Sequence, residues 1–263
     1  MRLAILSDIH ANLQALEAVL RDFATEGADR IVCLGDIVGY NANPIECLDR
    51  LRELDVVWVA GSHERAVTGQ ITTEGFSATA TRAIAWTRAR LGADMLAFLS
   101  ALPAQATVGR DLIAVHGALH PPVGCETVRL DTDERRLLSF EALRRHPSGA
   151  RICAFGHTHQ LGIYELHDGL VRTLHRNEAE LRDDAYYLIN PGAVGESRTD
   201  DRRATYMILD TERRTVRVKY VPYDFASARA KTRRAGLLPR FWFLPPRVRA
   251  ALKRSRRALH LGG

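Results

Sequence analysis

A chain of 263 residues that is 46% hydrophobic and 26% charged can bury a core of its own as one large domain or two small ones; one is expected. No run of about 18 apolar residues occurs, and only four apolar residues separate Arg2 from Ser7-Asp8, so neither a membrane span nor a secretory leader is read and a cytoplasmic location is expected. The net charge of +6 is uneven, since 11 bases and no acid follow Asp224 while 26 bases and 31 acids lie up to and including it.

In chain order, residues 2–6 and 31–34 are short apolar runs that end in acid-bearing turns, the pattern of buried strands delivering carboxylates to one edge. Between them Leu13, Leu16, Val19, Leu20 and Phe23 recur at helical spacing, with Asn12 as a cap and Gly27 past the end. The unit predicts βαβ with parallel strands and ligands at their carboxyl ends. Residues 56–60 and 112–115 repeat the strand pattern ahead of His63 and His116. Residues 77–102 predict one or two helices closed by Pro103, contributing no ligand, with Trp86 in the core. Strands follow at 151–155, 161–166, 170–174, 186–189, 205–209 and 215–221, with hairpin turns at His167-Asp168-Gly169 and 211–214. The second half is therefore richer in antiparallel sheet, and Pro239, Pro245 and Pro246 interrupt a basic, helical tail.

Cys33, Cys47, Cys125 and Cys153 lie far apart with no Cys-x-x-Cys pair, which predicts buried structural thiols. The tail bases read first as a solvated helix face; nucleic acid, an anionic membrane surface or a polyanionic substrate are the alternatives.

Chemistry concentrates at strand ends. Asp8 and His10 are two apart, Asp36 follows Gly35 with Gly39 in the same loop, and His157 and His159 are two apart after Gly156. His116 precedes a glycine after an apolar strand. Each fragment alone is a weak signal, because Asp-x-His and Gly-Asp are common in turns. Together they describe one metal site, since aspartate and histidine suit Mn, Fe, Ni or Zn and a carboxylate can bridge two ions.

With Ser7-Asp8-Ile9-His10, Gly35-Asp36, Gly61-Ser62-His63-Glu64, His116-Gly117 and Gly156-His157-Thr158-His159 in this order, the chain resembles the calcineurin-like metallophosphoesterases. Their motifs run D-x-H, G-D, G-N-H-[D/E], H and G-H-x-H. Residues 189–195, INPGAVG, resemble the N-P-G-S-V-G stretch of the small stand-alone bacterial and archaeal phosphodiesterases. The resemblance implies an α/β sandwich of two mixed β-sheets flanked by helices, with the site at the strand C-terminal ends. It implies a domain over residues 1–224, with 77–102 a helical insertion and 225–263 a basic extension packed on it or following it.

The activity implied is that of a metal-dependent phosphoester hydrolase, foremost a phosphodiesterase. Two divalent ions are implied, Mn first, with Fe, Ni, Zn or Mg as alternatives. By position Asp8, His10, Asp36 and His159 hold one ion and Asp36, Ser62, His116 and His157 the other. The ions, about 3.5 to 4 Å apart, share a hydroxide that attacks phosphorus in line. His63 donates a proton to the leaving oxygen or holds a phosphoryl oxygen, with Glu64 orienting its ring.

Ser62 departs from the family's asparagine. A shorter, weaker neutral donor predicts an impaired second site and opens the alternatives of a weakened member kept as a binding or scaffold module, or of a nuclease working through the tail. Tyr40, Asn41, Arg65, Asn190, Arg198 and Arg203 are candidate substrate contacts. The implied partner is a phosphoester, with nucleotides among the candidates and nucleic acid possible through the tail. His120 reads as a rim residue, and His146, His167, His175 and His260 receive no role.

Overall fold

The computed structural model describes residues 1–238. The first apolar run is β1 (Arg2–Leu6); Asn12 then caps α1 (Leu13–Glu26) by accepting from the Ala15 N–H, and Gly27 ends it in the left-handed conformation. β2 (Arg30–Cys33), α2 (Pro44–Arg52), β3 (Val56–Trp58) and α3 (Ser62–Thr68) follow. The next helical segment is two helices, α4 (Ala78–Arg88) and α5 (Ala93–Ala101), and a hairpin of β4 (Gln105–Val108) and β5 (Leu112–Val115) leads through α6 (Asp133–Arg144) to β6 (Ile152–Ala154). The remainder is β7 (Gly162–His167), β8 (Leu170–Thr173), β9 (Glu178–Glu180), β10 (Tyr186–Asn190), β11 (Ala204–Asp210), β12 (Thr215–Val221) and α7 (Phe225–Arg234).

Two six-stranded mixed sheets result, ordered β3-β2-β1-β11-β12-β9 and β4-β5-β6-β10-β7-β8. β1, β2 and β3 run parallel in the first, and β5, β6 and β10 run parallel in the second. Leu3, Ile5, Val32, Met207 and Leu209 of the first sheet share one core with Leu112, Ala114, Ala154, Tyr187 and Ile189 of the second. The alternate residues Ala4, Leu6, Ile31 and Cys33 belong to a second core with α1 and α2, which is why β1 and β2 are apolar throughout instead of alternating. A third core joins Ile113, Val115, Cys153 and Leu188 to Phe140 and Leu143 of α6. All four cysteines are free and buried.

Several elements were not visible beforehand. α2 buries Pro44, Cys47, Leu48 and Leu51, a short helical stripe hidden in a loop-like context. α6 buries only Ser139, Phe140 and Leu143 among many charges, and leaves Leu137 and Leu138 exposed, which blurs its period. β9 has glutamate at two of its three positions and is a strand only because it pairs with β12. Trp86 is not a core residue: α4 buries Ala80, Ala83, Ile84 and Thr87, and Trp86 falls off that stripe, half-buried beneath the Arg90 guanidinium at 3.6 Å.

α7 packs on α1, with the Thr232 hydroxyl donating to Asn41 Oδ1 at 2.8 Å and Leu237 and Leu238 buried after it. It carries Arg229, Lys231, Arg233 and Arg234. The other seven tail bases and the three tail prolines lie outside the described residues. No described helix is long and apolar enough to cross a membrane.

Candidate metal centre

The loops after β1, β2, β5 and β6 meet at one edge of the sandwich. Backbone N–H groups of Asp8, His10 and Ala11 donate to the carbonyls of Gly35, Asp36 and Ile37 at 3.1, 2.8 and 2.7 Å, lacing the first two loops together. Asp8, His10, Asp36, His157 and His159 all have φ between +49° and +61°. Each such residue costs about 1–2 kcal/mol, and their clustering marks a site held by its surroundings. Gly156 shows how close the loops come, since a Cβ there would lie 1.9 Å from Ser7 Oγ and 2.9 Å from Asp8 Oδ2.

Three sets of side chains bring three donor atoms within 4.8 Å of one another: Asp8, His10 and His159; His10, Asp36 and His63; Asp36, His116 and His157. Asp8 Oδ1 lies 3.2 Å from His159 Nε2 and 3.7 Å from His10 Nε2. Asp36 Oδ2 lies 3.7 Å from His10 Nε2 and 3.3 Å from His116 Nε2. Asp36 therefore stands between the outer two sets.

Nδ1 of His10, His116 and His159 faces the carbonyls of Val38, Leu34 and Glu196 at 3.1, 2.8 and 2.5 Å. A carbonyl only accepts, so these contacts place a proton on each Nδ1 and leave Nε2 facing inward, the nitrogen a metal ligand would use. Burial, then His63, pulls His10 well below the ordinary histidine value, so its ring is neutral near pH 7. Its Nε2 faces Nε2 of His159 at 3.2 Å, a contact that needs a proton or a metal cation between the two nitrogens. Asp8 Oδ1 and His116 Nε2 are buried without a hydrogen-bond partner. This donor set fits divalent ions.

Burial raises the Asp36 carboxyl, but His116, His63 and His10 together hold it well below the usual carboxylate range. His116 is the counterpart: burial lowers it, yet Asp36 and Asp8 push it up to about 9. His157 is only half-buried and falls to about 3 through desolvation and the neighbouring His116. Ser62, at the start of α3, reaches both Asp36 carboxylate oxygens only at 3.4 Å.

Glu64 does not orient His63. Its buried carboxylate accepts the backbone N–H groups of Asp36, Ile37, Val38 and Gly61 at 2.7, 2.8, 3.1 and 2.8 Å, so it organises the loop carrying Asp36. Desolvation and the Asp36 charge raise it to about 7, while the N–H donors to it oppose that. His63 packs against the rings of His10 and Tyr40 at 4.7 and 4.9 Å, and its buried Nδ1 faces Gly39, where a Cβ would lie 2.0 Å away.

A cavity of about 520 Å³ opens over Asp36, Ser62, His63, His157 and His159 and is bordered by Tyr40, Ile71, Phe76, Arg129 and Arg198. Ser77 and Ala80 also line it, so the segment at 77–102 supplies wall if not ligands. Of the expected substrate contacts, Tyr40 and Arg198 border this cavity and the others do not. Arg65 donates to Gln70 Oε1 and the Leu102 carbonyl. Asn41 and Asn190 are buried braces: Asn41 Nδ2 donates to the His10 carbonyl, and Asn190 Nδ2 donates to the Gly156 carbonyl and Thr158 Oγ1 at 2.9 and 3.0 Å. Arg203 pairs with Asp201 and covers Tyr220. His120 is exposed and away from the cavity lining. Ile71, Phe76 and Arg129 had no motif to announce them, because only the folded chain brings them to the candidate metal ligands.

The domain description for the calcineurin-like phosphoesterase superfamily matches residues 1–214. The uncharacterized protein MJ0912 of Methanocaldococcus jannaschii is 34% identical over 232 residues, 87% of this chain and 90% of its own. The crystal structure of a metallophosphoesterase from Sphaerobacter thermophilus is 34% identical, covers 91% of this chain and 95% of that one, and superposes with a TM-score of 0.74. The hypothetical protein PH1004 from Pyrococcus horikoshii OT3 shares the fold at 17% identity, with a TM-score of 0.71 and coverage of 90% and 94%.

Proposed function

The chain belongs to the calcineurin-like phosphoesterase superfamily, and from that premise we propose that it is a divalent-metal-dependent phosphodiesterase. Asp8, His10, Asp36 and His159 hold one ion, and Asp36, Ser62, His116 and His157 the other, with Mn the first candidate. The observation that carries this is the inward-facing pair of Nε2 atoms on His10 and His159, 3.2 Å apart beside the unpartnered Asp8 Oδ1. Bound there, such ions supply a water-derived nucleophile at neutral pH and offset charge on the phosphoryl oxygens.

The protein's own residues do the rest. The Val38, Leu34 and Glu196 carbonyls fix three imidazoles against rotation, so the ligands are set before any ion arrives. Glu64 locks the Asp36 loop through its four N–H contacts. His63, on the cavity wall, hands a proton to the leaving oxygen. Burial pulls His63 below its ordinary value while Asp36 raises it, and an incoming phosphoryl anion acts in the same direction as Asp36.

Hydrolysis of an aryl phosphodiester with and without added Mn, in the parent and in His63→Ala, tests the reading. Mn-dependent turnover that falls about a hundredfold or more in the variant supports it. Ser62 favours a second reading, a member retained for binding with little turnover, and absence of Mn-dependent hydrolysis in the parent establishes that one instead. The nuclease alternative depends on tail bases of which seven lie outside the described residues.

A further inference from the structure

His10, His116 and His159 are each tied through Nδ1 to a main-chain carbonyl, and His63 is not. Its Nδ1 is buried with no hydrogen-bond partner among the described residues. The carboxylate adjacent to it in the chain, that of Glu64, is taken up by the N–H groups of Asp36, Ile37, Val38 and Gly61. A hydrogen bond at one ring nitrogen is what ordinarily sets how an imidazole is turned. The side-chain torsion that rotates the ring is soft by itself, so for His63 the choice of orientation falls to packing.

That packing is aromatic. His10 lies 4.7 Å from His63 and Tyr40 4.9 Å between ring centroids, and Phe76 stands edge-on at 5.6 Å. Phe76 is fixed from behind by the helical core, and Tyr40 also meets His10, edge-on at 4.7 Å. Under the Nδ1 edge lies Gly39, where a Cβ would come within 2.0 Å of that nitrogen. Gly39 and Tyr40 are consecutive left-handed residues, with φ of +88° and +56°. Glycine adopts that conformation freely, whereas an aromatic residue rarely does, and such outliers persist where their surroundings hold them. Here the turn sets the Gly39 backbone against the edge of the imidazole and the Tyr40 ring beside it.

We infer that Tyr40 and Phe76 are positioning residues for His63: their two rings, with Gly39 leaving room at the edge, hold the imidazole toward the leaving oxygen in place of the hydrogen bond its Nδ1 lacks. The proton transfer rests on the phosphodiesterase reading above; the clamp on the ring does not. In that transfer the P–O bond breaks with its electron pair on the leaving oxygen, the His63 proton passes to that oxygen, and solvent reprotonates the ring. Tyr40 and Phe76 also line the cavity, so a seat for substrate is the competing role. A seat acts on KM, whereas a clamp acts on kcat and only where the leaving group needs a proton.

Tyr40→Gly removes one ring at a backbone conformation that glycine accepts, and Phe76→Leu removes the other while keeping an apolar side chain on the core. Melting temperatures above that of the assay establish that each is folded. In the full chain labelled with 13C at histidine Cε1 and supplied with Zn in place of paramagnetic Mn, His63 is the resonance lost in His63→Ala. Its ring order parameter should fall in both variants, while that of His116, tied to Leu34, holds. With Mn, kcat for a phenyl phosphodiester should fall about tenfold or more in Tyr40→Gly and about threefold or more in Phe76→Leu. For the 4-nitrophenyl ester, whose phenolate leaves with little need of a proton, both losses should stay below about twofold. Tyr40→Phe keeps the ring and should restore the phenyl ester rate to within about twofold of the parent. Unchanged His63 order in both variants, equal kcat losses on the two esters, a raised KM at constant kcat, or no rescue by Tyr40→Phe overturns the inference. The two readings fail separately: a parent without Mn-dependent turnover removes the phosphodiesterase reading, and the order of the His63 ring then decides the clamp.

Discussion

The two halves of the proposed metal centre are built to different tolerances. Asp8, His10 and His159 are buried, both imidazoles are tied through Nδ1 to carbonyls, and Asp8 Oδ2 accepts from the Ser7 hydroxyl and the His157 N–H at 2.8 and 3.1 Å. In the other half His116 is tied as firmly, at 2.8 Å to Leu34, but His157 stands at the cavity surface. Its ring makes no hydrogen bond to any described residue and rests against His116 at 5.1 Å. Ser62 adds only its two 3.4 Å contacts to Asp36. Ligands already fixed lose little freedom when an ion binds, so the first half should bind its ion more tightly than the second.

That contrast can be broken outright at Asp36, the residue proposed to serve both halves. Asp36→Ala should remove metal from both and lower turnover about a thousandfold or more, because several kcal/mol of transition-state stabilisation goes with the ions. Metal analysis after dialysis checks it, and a variant that retains both ions at parental affinity refutes the shared role. A paired comparison sharpens the asymmetry. His159→Ala should strip the tightly held ion, whereas His157→Ala should spare it and weaken only the other, by about 10- to 100-fold in affinity. Stepwise chelator titration followed by elemental analysis separates these outcomes, and equal losses in the two variants would remove the distinction between halves. The smallest effect is expected from Ser62→Asn, which supplies the carbonyl the second half lacks. Occupancy of the weaker site and Mn-dependent turnover should rise several-fold, up to about tenfold; identical metal content and rate in the two proteins would show that Ser62 is no handicap.

Much of the site was legible because its candidate ligands are chemically rare side chains placed at the ends of apolar runs. Asp8, His10, Asp36, His116, His157 and His159 could be picked out on those grounds. The supporting shell could not be, because it is made largely of backbone. The acceptors that set the histidine tautomers are carbonyls of Val38, Leu34 and Glu196, and a main-chain carbonyl leaves no mark in a sequence. Glu64 was visible but misassigned. Its neighbour His63 suggested ring orientation, whereas its position three residues past Gly61 lets it reach back to the Gly61 N–H and across to the Asp36 loop. Arg65 and Asn190 were misjudged for a related reason: chain proximity to a ligand does not say which way a side chain turns, and both turn to brace carbonyls.

The sequence by itself determined the two-sided burial of β1 and β2, the capped helix between them, the hairpin at Asp168-Gly169 and the chemical identity of the candidate metal donors. These depend on periodicity and residue type within a few positions. Tertiary structure alone decided that His10 and His159, 149 residues apart, turn ring nitrogens toward each other, that Asp36 stands beside both His10 and His116, and that Phe76, Arg129 and Arg198 border the same cavity. Those are distances between separate segments, set when two sheets close on a common core and bring their strand ends to one edge.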